Sequence, residues 1–146
     1  MRDIAADLGL TTAALYYHFP AKDAILAALS RTHRDEIEAL VAWARAERNR
    51  PGLLRETALR RVETAGQERL DAVRLARAVG PAADGDDAGL TTLVDLFADP
   101  DDPLDRLQIR LLFEAFTGAA LAAAPDDDLA TIVAAARWTV LAWTAE

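Results

Sequence analysis

Apolar residues along this chain recur at intervals of three and four, the period that lines one face of an α-helix, and the pattern predicts an all-α fold. Near the start, Ile4, Ala5 and Leu8 share one face of a short helix and leave Arg2, Asp3 and Asp7 to solvent. Gly9 predicts the end of that helix, because glycine takes the left-handed backbone conformation without steric cost. Leu10 follows as an inward plug, and Thr11 or Thr12 serves as N-cap of a second short helix. Leu15 and Phe19 give that helix its buried side before Pro20 ends it. From Lys22 a long helix is predicted to about Asn49, on a stripe of Ile25, Leu26, Leu29, Ile37, Leu40, Val41 and Ala44. The unbroken stripe is consistent with a rigid connection and equally with one more helix of a bundle.

Beyond that helix the pattern is punctuated by breakers. Asn49, Arg50, Pro51 and Gly52 form a turn, followed by one helix to about Thr64 and another from Gln67 to about Val79. Most of their many Arg and Glu residues read as a solvated face with weak i, i+4 pairs. Residues 80–89 read as a loop, Leu90 to Phe97 as a short helix, and Asp99 to Asp102 as an acidic break. Pro103 opens a helix to about Ala124, and Pro125 with Asp126, Asp127 and Asp128 opens the last one, the acids complementing its dipole. These two helices are apolar over more than one face and carry many small residues, with Trp138 and Trp143 adding large areas to bury. They are expected to pair two copies of the chain through segments near 103–124 and 126–145, closing a four-helix bundle. The alternative is a monomer in which they are simply central. The chain thus divides into a head over 1–30 and a helical body over 31–146.

The chemistry concentrates in the head. Two short helices joined by a tight Gly-containing turn have the geometry that lays the second helix in a DNA major groove. With Leu15 and Phe19 turned inward, Ala13, Ala14 and Tyr17 point most directly out, flanked by Thr12, Tyr16 and His18. Both tyrosines, one of the two histidines and the sole lysine, Lys22, fall within residues 16–22. Tyrosine hydroxyls, a histidine and a lysine suit phosphate oxygens, while small Ala and Thr side chains can approach base edges and thymine methyls. A lysine at a helix start opposes the macrodipole, and a phosphate bound there would reconcile the two.

The stretches IAADLG and LYYHF, then Pro20 and Lys22 opening another helix, resemble the DNA-binding domain of TetR-type transcriptional regulators, the tetracycline-repressor family. The resemblance covers about the first 30 residues. It implies a homodimer whose variable body binds a small ligand and so changes the separation of two DNA-reading heads. It further implies groove-facing roles for Thr11, Thr12, Ala13 and Tyr16, phosphate contacts from Tyr17, His18 and Lys22, and a base contact from Arg2. Family members carry a further helix ahead of this point, so the resemblance also implies that the family's first helix is missing here.

Net charge is −8, which by itself opposes nucleic-acid binding, but the charge is uneven. Residues 1–80 hold 13 Lys+Arg against 11 Asp+Glu, a net of +2, and residues 81–146 hold 3 against 13, a net of −10. An acidic body with a less acidic head is compatible with only the head approaching DNA. Arginine outnumbers lysine 15 to 1, a bias that suggests a GC-rich, bacterial coding sequence. The chain has no cysteine, which suits a cytoplasmic protein, and no apolar run long enough to span a bilayer. His18 and His33 have no partner at ligand spacing, and the calcium-loop match of Asp84, Asp86, Gly89 and Asp95 puts Ala88 where a ligand belongs, so no metal or other cofactor is implied.

An effector site, if present, is expected between the long helix and the segment from Leu90 to Phe116. There Trp43, Leu93, Phe97, Phe113 and Phe116 would either line an apolar cavity or pack as core. No nucleophile is paired with a base and no phosphate loop occurs, so an enzyme is not expected. The function expected is a sequence-specific DNA-binding repressor, released by a small apolar molecule from an operator of two half-sites. The alternative is a ligand-binding or dimerisation module whose DNA binding is impaired because the first helix is absent.

Overall fold

The computed structural model describes residues 5, 6, 9, 11, 13, 22–79 and 88–145. Among the described residues there are seven helices and no strand: α1 (Lys22–Ala46), α2 (Leu53–Glu63), α3 (Gln67–Val79), α4 (Ala88–Asp95), α5 (Pro103–Phe113), α6 (Ala115–Ala122) and α7 (Leu129–Trp143). The fold is all-α, as the helical period predicts.

Ile37, Val41 and Ala44 form the buried stripe of α1, with Leu40 half-buried beside them. The helix stops at Ala46, slightly earlier than its pattern. There the Glu47 N–H returns to Trp43 O at 3.1 Å and the Arg50 N–H to Glu47 O at 2.8 Å, tightening the turn ahead of Pro51. Gly52 then takes φ 72°, ψ 16° as the N-cap of α2. No atom lies within 4 Å of where a Cβ would stand, so Gly52→Ala meets only backbone strain. That change should cost about 1 kcal/mol in urea unfolding, and an unchanged midpoint would show that the turn tolerates a side chain.

The core gathers Ala58 and Val62 of α2, Leu70 of α3, Leu90, Leu93 and Val94 of α4, Ile109, Leu112 and Phe113 of α5, Phe116 and Ala120 of α6, and Ile132, Ala136 and Val140 of α7. The layers are α6 on α7, α7 on α2, α3 on α6 and α4 on both α1 and α5. The pattern places Ala88 and Gly89 in a loop, whereas the structure begins α4 at Ala88; the rest of that loop lies outside the described residues. At Gly89 α4 comes close to α1: a Cβ there would stand 2.9 Å from Ile37 Cγ2.

One further expectation needs correction, and another needs refining. The helix expected from Pro103 to about Ala124 is two helices, joined at Glu114 with φ −92°, ψ 9°. The joint has an identifiable cause: Arg61 Nε donates to Phe113 O at 2.7 Å, so a donor from α2 occupies a carbonyl of the ladder. The charges of α2 and α3 are also not all a solvated face. Arg61 is only 3 % exposed and Arg69 9 %, and both point into the body.

The acidic segments behave as caps. Asp102 accepts from the Leu104 N–H at 2.8 Å and the Asp105 N–H at 3.2 Å, with Pro103 in the first turn of α5. Asp128 accepts from the Thr131 N–H at 2.7 Å to open α7, and that backbone bond holds its carboxyl below the usual carboxylate range. No helix among the described residues is long and apolar enough to cross a membrane.

Candidate functional site

The head is described at five positions. Ala5 is buried and Ala6 exposed, consistent with a short helix that turns one face inward. Gly9 has φ 66° and its N–H reaches Ala6 O at 3.1 Å, the left-handed stop expected of it. Thr11 and Ala13, two of the positions assigned to the groove, are exposed. Arg2, Thr12, Tyr16, Tyr17 and His18 lie outside the described residues, as does the Lys22 side chain; the backbone of Lys22 opens α1. Ala6 borders a cleft of about 560 Å³ with Arg74, Arg77, Ala120, Ala123, Ala124 and Pro125. Arg74 Nη2 donates to Asp127 O at 2.8 Å and Arg77 Nη1 to Leu121 O at 3.3 Å, so α3 braces the turn that ends α6.

Of the five residues considered for an effector cavity, four come together as packed interior. Leu93, Phe113 and Phe116 are at most 1 % exposed, and the Phe97 and Phe113 rings stand 5.7 Å apart at 51°. Trp43 stands elsewhere, half-buried beneath the Arg60 guanidinium at 4.0 Å, where Arg60 also pairs with Glu56 at 3.1 Å. The clefts that do open have other walls. One of about 360 Å³ lies between α2, α5 and the end of α7, lined by Leu54, Arg55, Gln108, Ile109, Leu112, Trp143 and Thr144 among others.

A buried polar cluster went unread in the sequence. Arg61 holds Phe113 O and lies 4.0 Å from a Glu114 carboxylate oxygen. Arg69 Nη1 is 3.0 Å from His33 Nδ1, its Nη2 donates to Thr117 Oγ1 at 3.4 Å, and its guanidinium lies 5.5 Å from the Phe116 ring centre. Burial presses the Arg69 guanidinium below its ordinary value, with Glu114 and Glu36 opposing. Spacing held one signal: Ala58, Arg61 and Ala65 follow at three and four, which puts Arg61 on the apolar stripe.

The outer surface of α5, α6 and α7 is unusually apolar. Leu104, Leu107 and Leu111 on α5, Leu121 after Gly118 on α6, and Trp138 and Leu141 on α7 are all exposed, Trp138 by 72 %. An open groove of about 740 Å³ runs among Leu111, Glu114, Gly118, Leu121, Ala135 and Thr139. Exposed apolar patches of this kind mark association surfaces in soluble chains.

Comparison with known proteins adds one match. Residues 1–29 fit the description of the bacterial regulatory proteins of the tetR family. No curated protein matches the chain, and no solved structure does.

Proposed function

We propose that this chain, whose N-terminal segment is of the tetR type, is a sequence-specific transcriptional regulator that acts as a dimeric repressor released by a small molecule. The single observation that carries the DNA-binding part is the family match over residues 1–29, the stretch in which the turn, cap and outward residues of a helix-turn-helix coincide. The reading divides the chain into a head over 1–30 and a ligand-binding, dimer-forming body over 31–146. Thr11, Thr12, Ala13 and Tyr16 face the groove, Arg2 reaches a base, and Tyr17, His18 and Lys22 contact phosphates. No catalytic role is assigned.

The dimer part is supported by the exposed apolar face. Trp138, Leu141 and Leu121 lie on the two helices that also present Gly118, Ala134 and Ala135, small residues that let partner helices approach. Pairing α6 and α7 with their copies about a two-fold axis would form a four-helix bundle, and a two-fold pair of heads suits an operator of two symmetric half-sites. A small apolar effector completes the reading, and because Leu93, Phe97, Phe113 and Phe116 pack as interior, binding among them requires the surrounding helices to part.

Substitution separates the roles. Lys22→Ala and Tyr17→Ala should weaken binding about equally for all duplexes and flatten its salt dependence, whereas Thr12→Ala should change which duplex is preferred. Binding that survives all three unchanged would remove the site assignment. The second reading, a body that does not engage DNA, has the acidic balance of residues 81–146 behind it, a net of 3 − 13 = −10. It predicts a folded dimer that ignores duplex DNA at low salt.

A further inference from the structure

We propose that the contact between Arg69 and His33 is a proton-sensitive latch, tying α1, the helix that leaves the head, to α6, one of the two helices assigned to pairing. A guanidinium has only donors to offer. The 3.0 Å approach of Arg69 Nη1 to His33 Nδ1 therefore requires a lone pair on Nδ1, that is, a neutral imidazole carrying its proton on Nε2. Through Thr117 Oγ1 and the Phe116 ring the same guanidinium engages α6. Arg69, carried on α3, contacts both helices, so the bridge resists a shift of α1 relative to α6.

A proton on Nδ1 sets one cation against another 3.0 Å away and removes the acceptor. The other charges facing this point divide: the carboxylates of Glu36, Glu68 and Glu114 favour a proton on the ring, and the Arg61 guanidinium opposes it. Glu36, on α1 itself, is held above the usual carboxylate range by partial desolvation, with Arg69 and Arg61 pulling it down and Glu68 of α3 pushing it up. It surrenders its negative charge early on acidification. Arg61 of α2 adds a fixed positive charge, and Glu114 at the α5–α6 joint is a further counter-charge beside Glu36 and Glu68. From α6 the contact is the neutral Thr117 hydroxyl, and the described residues of α4 bring only Asp95, which pairs with Arg106 at 2.6 Å. A cleft of about 170 Å³ bordered by Thr32, His33, Glu36, Gly66, Glu68 and Arg69 gives water a route to the imidazole without unfolding.

The sign follows from linkage. The bond from Arg69 needs the Nδ1 lone pair, and an unfolded histidine takes its proton near pH ~6.5, so the latch as proposed contributes fully above that pH and is lost as pH falls through and below it.

The test compares thermal unfolding of the full chain with that of His33→Asn, whose amide oxygen replaces Nδ1 as acceptor without titrating. Between about pH 7.5 and about pH 5.5 the wild type should lose roughly 3 °C more than the variant. Equal losses would overturn the latch. Should the variant fold poorly, the ring nitrogen shifts of His33 at about pH 7.5, assigned with the help of His18→Gln, decide independently. A proton on Nε2 supports the latch, and a proton on Nδ1 overturns it. Its regulatory meaning rests on the DNA-binding reading: over the same interval the wild type should lose at least about threefold more affinity for a labelled operator duplex than His33→Asn. A chain that binds no duplex at any pH would remove the regulator reading and leave the unfolding comparison to decide the latch.

Discussion

Phe116→Ala should destabilise the chain by about 3 to 5 kcal/mol, lowering its melting temperature by roughly 10 °C. Phe116 has no exposed surface and lies in a core with Leu93, Leu112 and Phe113 that also supports one face of the Arg69 guanidinium. Truncation removes the transfer free energy of the ring and leaves a void that neighbours on several helices must collapse to fill. It also takes away the apolar platform under a buried cation, so the latch should loosen with it. The same residue was one of five considered for an effector cavity. A ring lining an open cavity already lacks partners on one side, and its removal would cost about 1 kcal/mol or less. Urea unfolding of wild type and variant at one fixed protein concentration separates these outcomes, because any self-association would add its own concentration-dependent stability. A loss near the lower figure would return Phe116 to the list of cavity-lining residues.

Trp138→Ala should weaken self-association by about 10²-fold or more without destabilising the isolated chain. An indole that is 72 % exposed on α7 contributes little to its own core, so its truncation leaves intrachain packing almost untouched. In a two-fold interface each substitution appears twice, and a buried tryptophan anchor commonly contributes about 2 kcal/mol or more per copy. Leu121→Glu, which places a carboxylate on the same apolar face, should give the same result through desolvation of charge. Trp43→Ala is the matched control: its ring is taken up by Arg60 within the chain, and the association constant should not move. Sedimentation across a concentration series reads all three. A wild type that stays monomeric at tens of micromolar, or a Trp138→Ala dimer as tight as the wild type, would assign this face to something other than a second copy.

Element type and order were legible because helical periodicity and breakers agree along the whole body. Pro51 with Gly52, Pro103 after Asp102, and Asp128 each end or open a helix where the pattern puts the boundary. The joint at Glu114 was not legible, since Leu112, Ala115, Phe116 and Ala119 continue the helical spacing of the apolar stripe across it. Its cause is the guanidinium of Arg61, which lies 52 residues away in sequence. Local pattern cannot register a hydrogen bond made at that distance. The same reason hid the contact of Arg69 with His33, 36 positions apart. A charged residue scores as solvent-facing wherever it stands, and only its neighbours in space reveal that its charge is enclosed. The head was legible in a different way: specific residue types at short spacing carry it, and the left-handed Gly9 agrees with the stop assigned there. The cavity expected around Phe113 was ambiguous from the start, because an aromatic cluster at helical spacing serves a core and a pocket equally well.

The most direct test of the central claim is fluorescence anisotropy of a labelled duplex taken from just upstream of the gene, titrated with the full chain across a salt series. Saturable binding, displaced by unlabelled specific duplex at least about 10³-fold better than by scrambled duplex, is the predicted result. Its affinity should fall steeply between about 50 mM and about 200 mM salt. Absence of binding at about 50 mM salt, or binding without preference for any duplex, would contradict the account.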